Sequence, residues 1–140
     1  MIPATGRVLG LDWGTSRIGV AISDETQLVA SPLDTLTRRA GRRLPLAQFL
    51  TVITRECPVG LVVGLPLDDY GREGESASAA REMGRTFAAR TNLPIEWVDE
   101  SFSTAQTLET MIAMGRRPTI SNIDRSAAAE VLQQWLETRR

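Results

Sequence analysis

The stretch "RVLGLDWGTSRIGVAIS", residues 7–23, decides the fold of this chain. It consists of two apolar runs joined at 14–16 by Gly-Thr-Ser, residue types that are typical of a tight turn. The pattern predicts two antiparallel strands, and Asp12 lies where the first of them ends. A carboxylate at the end of a buried strand costs free energy unless something pairs with it. Asp12 is therefore a candidate functional residue.

Outward from this hairpin, the sequence alternates between extended and helical patterns. Extended segments are predicted at 28–36, 59–67 and 94–100. A first helix is predicted from the helical spacing of Leu46, Phe49, Leu50 and Ile53, and a second over 76–90. A third helix is predicted after a capping box at Ser103 and Gln106, and the last helix begins at about Ile123. Three antiparallel strands followed by alternating helices and strands indicate an α/β fold with a five-stranded mixed sheet and helices on both faces. We expect residues 1–140 to form one domain.

The composition excludes several kinds of chemistry. The chain has no histidine, and all 16 basic residues are arginine. Histidine general bases, serine and cysteine triads, Schiff-base lysines and a Walker A lysine are therefore absent. A base-composition bias of the genome explains the preference for arginine equally well. The net charge of −1 means that any nucleic-acid-binding surface must be a local patch of positive charge. The single cysteine, Cys57, is expected to be a small buried side chain.

The chain shows no apolar run long enough to span a membrane and no secretory signal pattern at its start. The cytoplasm is therefore the expected compartment.

Three acids on separate predicted elements lie where a solvated-face explanation is weak. Asp12 and Glu100 end two strands, and Asp124 opens the last helix at a position that helical spacing assigns to its apolar face. Clustered carboxylates repel each other unless a cation binds between them, and Mg²⁺ prefers such oxygen ligands. Two such ions can stabilise the attacking and leaving oxygens during phosphodiester cleavage without histidine or lysine. A solvated Asp124 that interacts with the helix dipole is the alternative.

Four motifs carry a resemblance to a known family. The segments "LGLDWGTSRIGVAISD", "VVGLPLDDYGREGES", "VDESFSTAQT" and "IDRSAAAEVLQQWL" resemble, in order and spacing, the signatures of the YqgF/RuvX family of RNase H-like proteins. The resemblance runs from about Arg7 to Leu136. It implies a metal-dependent nuclease that uses Mg²⁺ or Mn²⁺, with Asp12, Glu100 and Asp124 as catalytic residues and metal ligands.

Other motif positions of the family carry over as well. They are Gly14, Thr15, Arg17, Gly64, Pro66, Ser103 and Thr104. The expected substrate contacts include the family positions Gly14, Thr15, Arg17, Ser103 and Thr104. They also include Arg42 and Arg43 of the cluster "RRAGRR" and Arg72 of the loop "GREGES". The arginine clusters can equally be solvated loop charges. The chain departs from the family at Ser101, where arginine is common, and it lacks a basic residue just before Asp124.

The resemblance favours cleavage of structured RNA, in maturation of the precursor of 16S ribosomal RNA. Holliday junction resolution on branched DNA is the alternative within the same chemistry. A ribosome-assembly factor with a vestigial site and an actin-like nucleotide-binding module are alternatives of another class. The expected partners are nucleic acid and a ribosomal subunit but no membrane, and the expected assembly is a monomer or weak homodimer.

Overall fold

The computed structural model describes residues 1–14, 16–38, 43–68, 70–100 and 120–139, with the side chains of 120–126 left out. Within these ranges the chain forms five strands and three helices. They are β1 (Val8–Trp13), β2 (Arg17–Ser23), β3 (Ala30–Thr37), α1 (Leu46–Glu56), β4 (Gly60–Pro66), α2 (Glu75–Thr91), β5 (Ile95–Glu100) and α3 (Ile120–Thr138).

The strands form one mixed sheet in the order β3-β2-β1-β4-β5. The pairs β1-β2 and β2-β3 are antiparallel, whereas β1-β4 and β4-β5 are parallel. The chain direction is therefore the same in β1, β4 and β5, and these strands end at one edge of the sheet, which we call the carboxyl edge. Ligands of such sheets bind beyond this edge.

Two apolar cores cover the two faces of the sheet. On one face, α1 and α2 bury Phe49 and Phe87, whose rings stack with centroids 3.8 Å apart. On the other face, α3 packs Val131 and Leu132 against β1 and β4. A Cβ atom added to Gly10 would lie 2.8 Å from Cβ of Leu132, so this glycine lets α3 approach β1 closely. The helix that carries Asp124 is therefore held tightly against the strand that carries Asp12.

The observed elements confirm the predicted α/β fold and also correct details. Leu50, predicted on the apolar face of α1, is 37% exposed, and Val52 is buried there instead. Cys57 is exposed rather than buried, because α1 ends at this residue, which adopts a left-handed conformation as the C-cap. The helix predicted after Ser103 lies outside the described residues. No helix in the described ranges is long and apolar enough to cross a membrane.

Candidate active site

Asp12 and Glu100 reach the same face of the sheet. Side chains alternate along a strand, so Asp12 shares a face with Gly10, which contacts α3. By the same rule Glu100 shares a face with Val98, which packs in the core beneath α3. Both carboxylates therefore lie at the carboxyl edge on the α3 side of the sheet.

The carboxyl groups of Asp12 and Glu100 act on each other at this edge. Burial raises the pKa of the Glu100 carboxyl, a side-chain hydrogen bond with Asp12 opposes this rise, and the charge of Glu130 adds to it. Two ionised carboxylates repel each other, and a proton or a cation between them removes this repulsion. The pair thus has the properties of a site that needs either a proton or a cation.

Gly64 makes room for this pair. It is the register partner of Asp12 on the neighbouring strand β4. A Cβ atom at Gly64 would lie 2.9 Å from Cγ2 of Val131 and 3.6 Å from Oε2 of Glu100. The absence of a side chain here lets α3 and the Glu100 carboxyl group approach the middle strand.

Glu130 is a third described acid near this site, and the sequence analysis did not single it out. It is half-buried, and its charge acts on Glu100. The signal was present in the sequence, because Glu130 follows the buried Ala127 by three residues and such residues share a helix face. Its neighbour Val131 contacts the position of Gly64.

Asp124 belongs to the first part of α3, but its side chain is outside the described set. Convergence of all three acids therefore stays a prediction. Among the side chains that are described, no group of three His, Cys, Asp or Glu residues is placed to hold a metal ion.

The residues at the site nevertheless fit a hard divalent cation. Oδ1 of Asp12 is buried and accepts no hydrogen bond within the described part of the chain. The same carboxyl group also interacts with the carboxyl group of Glu100. Carboxylate oxygens are the ligands that Mg²⁺ and Mn²⁺ prefer. A cation would remove the repulsion that otherwise requires a shared proton.

Several predicted substrate contacts lie at the same edge. Gly14 follows β1 in a turn so tight that a Cβ atom would lie 2.4 Å from the carbonyl oxygen of Arg17. Arg17 begins β2 and is half-buried, and Arg72 lies in the loop after β4 with 72% of its side chain exposed. Arg43 is exposed just before α1. Thr15, Arg42, Ser103 and Thr104 lie outside the described residues.

Trp13 and Arg38 form a contact that the sequence interpretation missed. The Arg38 guanidinium lies 4.3 Å from the centroid of the Trp13 ring. The backbone amide of Arg38 donates a hydrogen bond to the carbonyl oxygen of Ser16 at 2.8 Å, which joins the end of β3 to the β1-β2 turn. A guanidinium group is thereby held beside the residue that follows Asp12.

A five-stranded mixed sheet with helices on both faces and paired acids at the carboxyl edge defines the RNase H-like class. Solved structures agree with this fold. The RuvC structure of Thermus thermophilus aligns with a TM-score of 0.60 at 16% identity, covering 95% of each chain. The yeast mitochondrial Holliday junction resolvase aligns with a TM-score of 0.55 at 12% identity, covering 97% of this chain and 80% of that one.

Sequence comparison is more specific. The model of the RuvX family, described as "Holliday junction resolvase", matches residues 6–138. A relative from Rhodopseudomonas palustris strain BisB5 is 39% identical over 137 residues, covering 96% of this chain and 85% of the relative. One from Anaeromyxobacter sp. strain Fw109-5 is 40% identical over 136 residues, covering 95% and 98%. Both bear the name "Putative pre-16S rRNA nuclease".

The chain belongs to the RuvX family. The family, the fold and the enzyme class expected from the sequence, a nuclease that acts on nucleic acid, are thereby confirmed.

Proposed function

We propose that this protein is a divalent-metal-dependent nuclease that cleaves phosphodiester bonds in structured RNA, with the precursor of 16S ribosomal RNA as its substrate. The observation that carries the proposal is the half-buried pair of carboxyl groups, Asp12 and Glu100, which interact beside Gly64. A ribosomal RNA precursor is an intracellular substrate, so the proposal implies action in the cytoplasm.

Asp12 and Glu100 would hold the cation, together with Asp124 from α3. When bound, Mg²⁺ or Mn²⁺ supplies Lewis-acid stabilisation of the phosphoryl oxygens and a more acidic water. The acids of the chain would fix the position of the cation relative to α3, and the negative charge of Glu130, which raises the pKa of Glu100, would also attract a cation to this site. The chain has no histidine or lysine, so no such side chain takes the role of general base.

Arginines at the carboxyl edge would bind the flanking phosphates. Arg17 and Arg72 lie next to strand ends there, and Arg38 is held by stacking on Trp13. Guanidinium groups bind phosphate oxygens in a bidentate manner without losing their charge. Gly14, Thr15, Arg42, Arg43, Ser103 and Thr104 complete the proposed contacts. RNA is preferred as substrate because the curated relatives are named for ribosomal RNA.

Branched DNA is the second candidate substrate. The printed description of the RuvX family favours it, as do the titles of structural neighbours, one of which is a RuvC complex with a Holliday junction. The catalytic carboxylates would be the same for either substrate, so the two candidates differ only in what the surrounding surface accepts.

The test is cleavage of two labelled substrates under the same conditions. One is an RNA stem with single-stranded flanks from a 16S precursor, and the other is a four-way DNA junction. We expect Mg²⁺- or Mn²⁺-dependent cleavage of the RNA, none in EDTA, and none with Asp12→Asn or Glu100→Gln. Glu82→Gln is the matched control, because Glu82 is an exposed acid on α2.

Cleavage of the junction but not of the RNA would replace the first substrate by the second. If the purified Asp12→Asn variant cleaved either substrate like the wild type, the site proposed here would be wrong.

A further inference from the structure

In the loop between β4 and α2, the described residues 67, 68 and 70–74 are held by one carboxylate. Oδ1 of Asp68 accepts hydrogen bonds from the backbone amides of Tyr70, at 2.9 Å, and Arg72, at 2.8 Å. The amide of Asp68 donates to the carbonyl oxygen of Arg72 at 2.8 Å. Gly71 takes the positive φ of 73° that closes the turn. These hydrogen bonds fix the backbone of residues 70–72 relative to Asp68.

The base of the loop is fixed as well. Leu67 and Glu73 form a β-bridge. The Glu73 carboxylate accepts two hydrogen bonds from the Arg81 guanidinium, both at 2.7 Å, and this guanidinium lies 5.1 Å from the Trp97 ring centroid. The hydrogen bond from Arg81 lowers the pKa of Glu73, so the pair stays ionised at neutral pH. The loop is thus anchored to α2 and, through Trp97, to β5.

The ordered loop presents an aromatic ring and a cation to solvent. Tyr70 is 82% exposed, and the Arg72 guanidinium lies 5.0 Å from its ring centroid. Nε of Arg72 is 3.5 Å from Oδ2 of Asp68, which restrains the guanidinium while 72% of the Arg72 side chain stays exposed. Arg72 lies over one face of the ring, and because the ring is so exposed, its other face is in contact with solvent. The folded core gains little from either side chain.

The pair lies close to the proposed active site. Pro66 is the register partner of Glu100, and the loop begins at the next residue. Tyr70 is the fourth residue after Pro66, so their Cα atoms are at most about 14 Å apart. A strand of stacked nucleic acid rises about 3.4 Å per nucleotide, so the ring lies within a few nucleotides of a phosphate bound at the carboxylates.

We infer that Tyr70 and Arg72 form a nucleotide-binding platform that gives the enzyme its preference for unpaired nucleotides beside the cleaved bond. The base of one unpaired nucleotide stacks on the open face of Tyr70, and Arg72 binds an adjacent phosphate. Aromatic side chains bind bases of any sequence in this way, and arginine adds a charge-assisted hydrogen bond. A fully paired duplex has no free base face to offer. The inference rests on the proposed function, since it deepens the same site.

The test measures binding in EDTA, where cleavage is prevented. The probes are an RNA hairpin with a short single-stranded flank that carries 2-aminopurine and a blunt RNA hairpin of the same stem. The variants are Tyr70→Ala, Tyr70→Phe and Arg72→Ala. Arg90→Ala is the matched control, because Arg90 is an exposed arginine in the last turn of α2, where the chain has returned from the carboxyl edge to begin β5.

We expect Tyr70→Ala to weaken binding of the flanked hairpin about 5- to 140-fold, which corresponds to the loss of one base–aromatic stack. Tyr70→Phe keeps the affinity and the quenching of 2-aminopurine. Arg72→Ala lowers the slope of log affinity against log salt by about 0.7, the value for one phosphate contact on a single strand. Arg90→Ala changes none of these, and all variants keep the thermal midpoint of the wild type because both side chains are exposed.

The inference is overturned if Tyr70→Ala binds the flanked hairpin like the wild type, or if it loses as much affinity for the blunt hairpin. Cleavage assays separate this result from a failure of the proposed function. If Tyr70→Ala binds and cleaves the flanked RNA like the wild type, and cleavage depends on metal, only the platform is wrong and the nuclease assignment stands. If Tyr70→Ala binds the flanked RNA more weakly but the wild type shows no metal-dependent cleavage, the proposed nuclease function is wrong and the platform stands.

Discussion

The carboxyl groups of Asp12 and Glu100 interact with each other although β4 lies between the strands that carry them. The contact is possible because the residue of β4 in register with Asp12 is Gly64, which has no side chain to separate them. Two half-buried carboxyl groups this close repel each other when both are ionised, and a proton or a cation relieves the repulsion. The relationship ties the stability of the fold, its pH dependence and its metal binding to the same two residues.

Replacing either member of the pair should stabilise the protein when no metal is bound. At a pH above the folded-state pKa of Glu100, Asp12→Asn and Glu100→Gln each remove one of two repelling charges, and we expect a gain on the order of 1 kcal/mol, or about 3–5 °C in thermal midpoint. Addition of Mg²⁺ should raise the midpoint of the wild type but not that of either variant, since only a ligand that binds the folded state stabilises it. Differential scanning calorimetry in EDTA and in Mg²⁺ measures both effects. Variants less stable than the wild type in EDTA would contradict this account.

The pH dependence of stability follows from the raised pKa of Glu100. Burial and the charge of Glu130 hold the pKa of Glu100 above its ordinary value of 4.5, so the folded state binds a proton more tightly than the unfolded state. Stability in EDTA should therefore fall as pH rises from about 4.5 through the folded-state pKa. Denaturant unfolding of wild type and Glu100→Gln across this range isolates the contribution. The free energy of unfolding of the wild type should fall relative to that of Glu100→Gln as pH rises. Parallel curves of this free energy against pH would exclude a contribution of Glu100.

Sequence patterns predicted the parts of the site that depend on strand order. The apolar runs around Gly-Thr-Ser give β1 and β2, and the rule that parallel strands end at one edge brings Asp12 and Glu100 together. What escaped prediction depends on close tertiary contacts. The position of Glu130 is decided by the approach of α3 to Gly64, and Tyr70 gains its arrangement from the hydrogen bonds of Asp68. The spacing from Ala127 indicates the helix face of Glu130 but not its approach to Glu100, and the arrangement of Tyr70 has no periodic signature in the sequence.

Gly64→Ala should damage both the packing and the site. Its Cβ atom would lie 2.9 Å from Cγ2 of Val131 in the buried core and would crowd the Glu100 carboxyl. Overpacking of this kind costs about 1–3 kcal/mol. Gly10→Ala is the matched variant, because it meets Leu132 of the same helix at 2.8 Å and none of its three nearest atoms belongs to Glu100. We expect similar losses of stability in chemical denaturation, but a weakened Mg²⁺ response only in Gly64→Ala. An equal Mg²⁺ response in both variants would show that Gly64 serves packing alone.

Arg38 should bind substrate phosphate rather than serve the fold. Stacking on Trp13 holds its guanidinium at the carboxyl edge, and exposed or half-exposed arginines of this kind add less than about 1 kcal/mol to stability. Arg38→Ala should weaken RNA binding by a similar factor for different sequences and lower the salt slope by about 0.7–0.9, because one phosphate contact is lost. Trp13→Phe keeps a ring beneath the guanidinium and should retain most of the affinity. Arg55→Ala, which removes an arginine from the last turn of α1, is the control. An unchanged salt slope in Arg38→Ala, measured by fluorescence anisotropy over a range of salt concentrations, would assign the Trp13–Arg38 pair to structure and leave Arg17, Arg43 and Arg72 as the phosphate contacts.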